Sequence, residues 1–309
     1  MGIKIVADAG SNLFPEILKA KGLDIRVACM HLTIRNQDFF CYDKDFDTPK
    51  VSKLLYEELE GDVNVHTSLV GPHDFYEIFK KDVDAGHQVI CFTMAKGISG
   101  TYQSACLARD MINEEAKKEM VYVCDSATAG FGEGLQAIHA HELVEAGKSF
   151  KEISEEIEKF KFKVRSEFTV DNIGFLARTG RVSKTVARIA SLLRIKVLLK
   201  GSDESYIVQT SKVSGRRLAL RRLTKQCIDY IRNPDKQTVY ITHCNCLKDA
   251  EMMKASLAKE GIKNVEIYDY DLVTASHIGP NSMAIFYVGD NRSFTNIFGK
   301  EKKEKKPIK

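Results

Sequence analysis

The chain has 309 residues, 44% of them hydrophobic, and a formal net charge of +4. This length leaves room for two domains with buried cores, and the composition excludes a largely disordered protein. The last ten residues, 300–309, hold six lysines and two glutamates and account for all of the net charge. We therefore expect a disordered lysine-rich tail on a formally neutral body that has no general affinity for nucleic acid.

The cysteines and the apolar segments indicate the compartment. The eight cysteines lie mostly in apolar runs or helical patterns and form no regular disulfide framework, which is typical of a reducing cytosol. The opening MGIKIVADAG turns polar by residue 8, and no apolar run is long enough to cross a bilayer. We expect a cytoplasmic protein without a secretory leader, a lipid anchor or stable membrane insertion.

Short apolar runs alternate with helical patterns in the first half of the chain. The predicted strands are residues 3–7, 25–34, 88–94 and 120–124. The predicted helices are residues 14–21, 49–60, 73–85, 101–116 and 133–146. Prolines stand at the start of several of these helices, where a missing N–H costs no hydrogen bond. The alternation predicts an α/β domain over residues 1–160, built on a doubly wound, mostly parallel sheet.

The second half mixes its elements differently. An amphipathic helix over residues 149–164 is predicted to connect the halves, and two short helical patterns flank a Thr-Gly-Arg turn at 179–181. The remaining predicted elements are strands at 167–173, 239–244, 265–273 and 284–289, a hairpin at 195–213 and helices at 215–232 and 247–260. This order predicts an α+β domain with a mixed sheet over residues 161–299.

Three hydroxyl-rich segments, at residues 66–72, 96–105 and 274–280, each follow a predicted strand. Loops at the carboxyl ends of strands are where open α/β sheets bind ligands, so we expect the three to meet. Helices beginning near residues 72 and 101 would add backbone N–H groups, which suit a carboxylate or phosphate. The candidate hydroxyls are those of Thr67, Ser68, Ser99, Thr101 and Ser104. A competing interpretation is that Ser99 or Thr101 only caps its helix.

Two further side chains could take part in binding an anion. His277 lies in a Ser-His-Ile-Gly-Pro segment, which we predict to be a turn between two strands, and Arg181 follows a Thr-Gly pair. The imidazole could bind an anion, or it could be a hydrogen-bonded structural group. The guanidinium could form charge-assisted hydrogen bonds with an anion, or a salt bridge on the surface. The residues alone leave these alternatives open.

Five segments, in order along the chain, resemble the DegV family of bacterial fatty-acid-binding proteins. They are DAGSNLFPE at 8–16, HTSLVGP at 66–72, KGISGTYQSA at 96–105, LARTGRVS at 176–183 and TASHIGP at 274–280. The resemblance implies a two-domain DegV-like fold without enzymatic activity or a cofactor. It also implies that a long-chain fatty acid lies between the domains and presents its carboxylate to a separate fatty acid kinase, for phosphorylation and lipid synthesis.

The resemblance assigns roles to individual residues. His277, in the family's H-x-G-P turn, would help hold the carboxylate, with Arg181 as a charged partner. The supporting hydroxyls would be those of Thr67, Ser68 and Ser99. An apolar tunnel would provide most of the affinity, because each buried methylene contributes about 0.8 kcal/mol.

Other functions remain as alternatives. His277 could act as base or nucleophile in an enzyme or small-metabolite protein, if Asp269 or Asp271 folded close enough to orient it. Lys96, which stands where the family has a serine, could pair with an anion or point to solvent. A dinucleotide site is disfavoured because Leu135 occupies the last glycine of the pattern, and the His-Cys-Asn-Cys run at 243–246 lacks a fourth zinc ligand.

A basic stripe is predicted on the helix at residues 215–232. Its arginines are Arg216, Arg217, Arg221 and Arg222. Aromatic residues that would stack on bases are missing from it, so we do not expect nucleic acid. The stripe is either a solvated helix face or a docking surface, for an acidic partner protein such as the kinase or for lipid head groups.

Overall fold

A computed structural model describes residues 2–43, 46–61, 63–183, 185–186 and 195–292. The predicted tail at 300–309 and most of the second short helical pattern after the Thr-Gly-Arg turn lie outside these residues. No helix among the described residues has both the length and the apolar composition needed to cross a membrane.

The described elements follow the predicted alternation closely. The strands are β1 Ile3–Asp8, β2 Ile25–Ala28, β3 Met30–Ile34, β4 Gln37–Cys41, β5 Val65–Ser68, β6 Gln88–Thr93, β7 Val121–Asp125, β8 Val164–Thr169, β9 Ile195–Gly201, β10 Ile207–Ser214, β11 Val239–His243, β12 Val265–Asp269 and β13 Met283–Val288. The helices are α1 Pro15–Lys21, α2 Thr48–Leu59, α3 Pro72–Asp84, α4 Thr101–Ala116, α5 Phe131–Glu145, α6 Phe150–Phe160, α7 Gly174–Arg178, α8 Arg216–Tyr230, α9 Leu247–Lys259 and α10 Leu272–Ile278. The predicted helices of the first half are all present.

The first sheet is entirely parallel, in the order β2-β1-β6-β7. Helices α3 and α4 pack together on it, and α5 and α6 pack together on its other face. Because both faces are covered, these strands are buried along most of their length. The doubly wound, parallel first half is therefore confirmed.

The second sheet has six strands in the order β10-β9-β8-β13-β11-β12, and only β11 and β12 are parallel neighbours. Side chains alternate between its faces. Leu198 and Ile285 belong to a core with α8 and α9, whereas Leu199 and Phe286 face the first sheet and α5. On that inner face Phe131 of α5 stacks on Tyr240, with ring centroids 4.3 Å apart. The predicted mixed sheet is confirmed.

A third sheet, β4-β3-β5, is antiparallel and was not predicted. The predicted strand at 25–34 divides into β2 and β3, which belong to different sheets. Arg35 and Asn36 both have positive φ, at 50° and 63°, as a two-residue hairpin turn requires. The prediction that residues 66–72 form a loop was wrong at its start, because Thr67 and Ser68 lie in β5. Because β5 is short and contains no apolar run, it could not be recognised as a strand from the sequence.

The segment after β12 also differs from the prediction. The strand predicted over 265–273 ends at Asp269, and the turn predicted around His277 is the last part of helix α10. Asp271 begins this helix by accepting a hydrogen bond from the Thr274 N–H at 2.7 Å. An aspartate at this position favours a helix start, and it overrides the apolar pattern of the following residues.

Gly279, which ends α10, has φ 78° and ψ 171°, a region that is essentially confined to glycine. A Cβ at this position would lie 2.3 Å from Phe175 Cδ2. We expect Gly279→Ala to lower the free energy of unfolding by about 3 kcal/mol, from backbone strain and displacement of the ring. Urea unfolding followed by circular dichroism measures this loss.

Gly261→Ala is the matched control. Gly261 also has a positive φ, 84°, but a Cβ added there would meet no other described residue within 4 Å beyond its chain neighbours. The control should lose only about 1 kcal/mol, the cost of the left-handed backbone. Equal losses in the two variants would contradict the packing argument.

Candidate functional site

A cleft of about 1060 Å³, including its open mouth, lies where the three sheets meet. The apolar lining consists of Met30, Leu69, Met94, Ala95, Ile98, Ala127, Ala129, Phe168, Leu176, Tyr206, Ile207, Tyr270, Val273 and Ile278. The polar side chains of the lining are Thr67, Ser68, Ser99, Thr128, Ser166, Arg181, Ser205, Thr274 and His277.

The structure brings all five predicted site residues to this cleft. They come from β5, from the loop between β6 and α4, from the segment after α7 and from the last turn of α10. These residues are Thr67, Ser68, Ser99, Arg181 and His277. Residues far apart in the sequence thus form one lining, which is typical of a binding site and uncommon for unrelated surface groups.

A hydrogen bond joins Thr67 and His277 across the cleft. Thr67 Oγ1 lies 2.8 Å from His277 Nε2, and the imidazole tautomer decides which atom donates. His277 Nδ1 is buried and has no hydrogen-bond partner among the described residues. Burial, with smaller contributions from the nearby cations Arg181 and Arg178, lowers the pKa of His277 to about 4. The imidazole is therefore neutral at physiological pH.

Arg181 supplies a positive charge at the same end of the cleft. Its Nε donates to the Ile98 carbonyl at 3.2 Å, and its Nη1 donates to the Thr179 carbonyl. Among the described residues no carboxylate forms an ion pair with it. Partial burial lowers the pKa of Arg181 from its ordinary value, yet the group stays charged. A half-buried guanidinium without an acidic partner favours an anionic ligand.

Ser99 lies both at the start of α4 and at the cleft, so its position fits both a binding hydroxyl and a group that organises the helix start. Its Oγ accepts a hydrogen bond from the Thr101 N–H at 3.2 Å, as a residue does when it organises a helix start, and its side chain also borders the cleft. Thr101 and Ser104 are buried within α4 and do not border the cleft. The sequence also predicted that backbone N–H groups at the start of α3 contribute to the site. That prediction is wrong, because the described lining includes no residue of the segment 66–72 beyond Leu69.

Lys96 points away from the lining. Its Nζ lies 3.5 Å from Asp125 Oδ2, and most of the side chain is exposed. Asp125 itself is buried and accepts hydrogen bonds from the Lys96 and Ala127 N–H groups and from the Ser205 hydroxyl. This carboxylate therefore ties the β9–β10 turn to the ends of β6 and β7, and so holds one wall of the cleft.

The sequence predicted an apolar tunnel but not the residues that line it. Phe168 and Ser166 of β8 and Ile207 of β10 reach the cleft from the second sheet, and Met30 reaches it from the third. Alternation along β8 could have placed Ser166 and Phe168 on one face. That this face of β8 borders the same cleft as the third sheet could not be read from the sequence, because β5 was not recognised.

No group of three or more histidine, cysteine, aspartate or glutamate residues within the described part of the chain is arranged to hold a metal ion. In the His-Cys-Asn-Cys run, His243 Nδ1 lies 3.3 Å from Asp269 Oδ1, and Cys244 is buried. These contacts are separate from the cleft.

The fold and the cleft define an α/β protein with an open cleft lined by residues from three sheets. The chain belongs to the DegV family, since the family model described as an uncharacterised protein of the DegV family matches residues 2–290. A DegV domain-containing protein of Clostridium perfringens is 31% identical over 289 residues, which cover 93% of this chain and 98% of that protein.

Solved structures share the fold. A fatty-acid-binding DegV family protein of Thermus thermophilus has a TM-score of 0.80 at 23% identity, covering 94% of this chain and 100% of that one. The Fatty Acid Kinase (Fak) B3 protein of Streptococcus pneumoniae, loaded with linoleic acid, has a TM-score of 0.77 at 19% identity, with coverage of 94% and 100%. These likenesses confirm the predicted DegV-like fold.

The neutral, buried His277 makes stability depend on pH. The unfolded imidazole has a pKa of about 6.5, above the folded value of about 4. Between these values the unfolded chain binds a proton that the folded protein does not, so this contribution to stability falls as the pH falls. We expect His277→Gln to reduce the loss of unfolding free energy between pH 7 and pH 5 by about 2 kcal/mol.

Urea unfolding at both pH values measures this difference. His66→Gln is the control, because His66 is exposed on the same strand as Thr67. The control should keep the wild-type dependence. An unchanged dependence in His277→Gln would contradict the buried, neutral state.

Proposed function

We propose that this chain binds a long-chain fatty acid in the cleft and presents the carboxylate at its polar end. The observation that carries the proposal is a mainly apolar cleft that Thr67, His277 and Arg181 all line, with no carboxylate among the described residues paired to Arg181. The family relatives that were solved with fatty acids support it. Residues 1–160 and 161–299 are proposed as two domains that enclose the acyl chain.

The apolar walls account for affinity. A chain of sixteen carbons, at about 0.8 kcal/mol for each buried methylene, gains more than about 10 kcal/mol before the costs of ordering are subtracted. The carboxylate would accept hydrogen bonds from Arg181 and from the Thr67 hydroxyl. It would also neutralise the guanidinium, so that a buried charge pair replaces an isolated cation. The polar end thus fixes the orientation of the ligand.

The alternative of a His277-dependent enzyme is less favoured by the geometry. The two acids that were expected to orient His277 are engaged elsewhere: Asp269 lies beside His243, and Asp271 begins α10. We therefore propose that the chain binds its ligand and does not itself catalyse a reaction, requires no cofactor and works in the cytoplasm.

Native mass spectrometry of protein purified from a bacterial host, with extraction and identification of whatever co-purifies, tests the binding proposal. We expect one fatty acid per chain. Arg181→Gln should weaken linoleic acid binding by about 10-fold or more, because a charge-assisted hydrogen bond contributes about 1.5 to 3 kcal/mol. The matched control, Arg221→Gln, removes an exposed arginine of α8 and should bind as the wild type does. An empty protein that takes up no added fatty acid would refute the proposal.

We further propose a fatty acid kinase as the protein partner, with the exposed arginines of α8 as a docking surface. The stripe divides in the structure. Arg217, Arg221 and Arg222 are exposed. The Arg216 side chain instead donates a hydrogen bond to Asp249 at 2.5 Å, so it is engaged within the protein. Helix α8 lies on the face of the second sheet opposite the cleft. A partner bound there through acidic side chains would be anchored without covering the ligand.

Charge reversal tests this surface. Arg217→Glu with Arg221→Glu should weaken binding of the kinase at least about tenfold, by replacing attraction with repulsion, and should leave linoleic acid binding unchanged. Surface plasmon resonance measures the binding of the purified kinase and of linoleic acid. A phosphorylation assay with the same kinase measures the consequence of lost docking. Lys254→Glu with Lys259→Glu, on the neighbouring helix, controls for net charge. Equal effects of the two double variants would exclude a specific role for the arginines.

A further inference from the structure

Three carboxyl groups from distant parts of the chain meet beneath the cleft. Asp8 ends β1, Glu133 lies in the first turn of α5, and Asp271 begins α10; all three side chains are fully buried. The backbone N–H of Asp8 donates to Glu133 Oε1 at 3.0 Å, which ties the Glu133 carboxyl group to the residue that carries the Asp8 carboxyl group. Within the described part of the chain, no lysine, arginine or histidine forms an ion pair with any of the three.

The hydrogen bonds stabilise a negative charge on Asp8 better than on Glu133 or Asp271. Asp8 accepts from the N–H groups of Gly10 and Met94, at 2.7 and 2.8 Å, so its ionised form is the best solvated. Glu133 Oε2 and Asp271 Oδ2 are buried and have no hydrogen-bond partner among the described residues. Those two groups are therefore the ones best suited to hold protons.

The described surroundings of the cluster offer no compensating positive charge. Burial is the first cause that raises the pKa of Asp8 to about 6 and that of Asp271 to about 7, and it also raises the pKa of Glu133. The titratable groups that face the cluster from other elements are Cys41, Tyr42, Cys91, Cys244 and Tyr270. Burial raises the pKa of each of these as well, so all are neutral neighbours.

The cluster also holds the floor of the cleft. Asp8 fixes the backbone of Met94, and Asp271 begins the helix that carries Thr274 and His277. Met94 and Thr274 both line the cleft. Gly10 lies against both, since a Cβ built on it would be 2.2 Å from Met94 Cε and 3.9 Å from Thr274 Oγ1. The state of the carboxyl groups is thus linked to the positions of side chains that border the ligand.

We propose that Asp8, Glu133 and Asp271 act as a proton-holding unit that positions the cleft floor, so that the cleft binds an anionic acyl ligand best when this unit is protonated. The inference rests on the proposed fatty-acid binding. Loss of a proton would place a second negative charge in an uncompensated interior, beneath a ligand that is itself an anion. By linkage, ligand binding would then favour proton uptake, and affinity would fall as the pH rises.

Isothermal titration calorimetry with linoleic acid at pH 6.5, 7.5 and 8.5 tests the inference. His277 is neutral throughout this range, so it does not contribute to the slope. We expect the wild-type dissociation constant to rise about tenfold across the range. Asp271→Asn keeps a side chain that can begin α10 but cannot ionise, so its dissociation constant should change less than about threefold. Glu133→Gln provides a second variant of the same kind.

Asp269→Asn is the matched control, because Asp269 is only two residues away but exposed, and it should retain the wild-type slope. Equal slopes in wild type and Asp271→Asn would overturn the inference and leave fatty-acid binding intact. Failure of wild type to bind linoleic acid at any pH would instead overturn the proposed function, and the inference with it. Binding that is independent of pH in wild type would overturn the inference alone.

Discussion

The contact between Thr67 and His277 is the constraint on which the candidate site depends. It joins the third sheet to α10 across 210 positions of the sequence, at the end of the cleft where Arg181 also lies. Because the imidazole is mostly buried and neutral, the guanidinium is the charge that an anion would meet. The other lining residues are mainly apolar, so the cleft combines a charged group that can orient a ligand with a surface for hydrophobic contact.

This arrangement requires all three sheets. The parallel sheet supplies the loop that carries Ser99, the mixed sheet supplies Phe168 and Ile207, and the small antiparallel sheet supplies Thr67. Asp125 links the first two by accepting hydrogen bonds from both. Asp8 and Asp271 hold the floor from below. Polar groups inside the protein thus position the cleft, while the groups that border it are mainly apolar.

The sequence predicted what strong local patterns encode. Apolar runs alternating with helical patterns that begin at prolines located the first sheet, and the hydroxyl-rich segments included Thr67, Ser99 and His277. It failed where tertiary contacts decide the conformation. Strand β5 has four residues with a single apolar one among them, and α10 begins with Leu272 and Val273, which with Tyr270 resemble a continuing strand. The cap at Asp271 was the available signal for that helix.

The most direct test of the account is a crystal structure of the protein purified from a bacterial host with its native ligand retained. We expect continuous density for one unbranched acyl chain between the sheets, with its carboxylate within hydrogen-bonding distance of Thr67 and Arg181 and the hydrocarbon against Phe168 and Ile207. A ligand of another chemical class, or an acyl chain with its carboxylate at the opposite end of the cleft, would contradict the central claim.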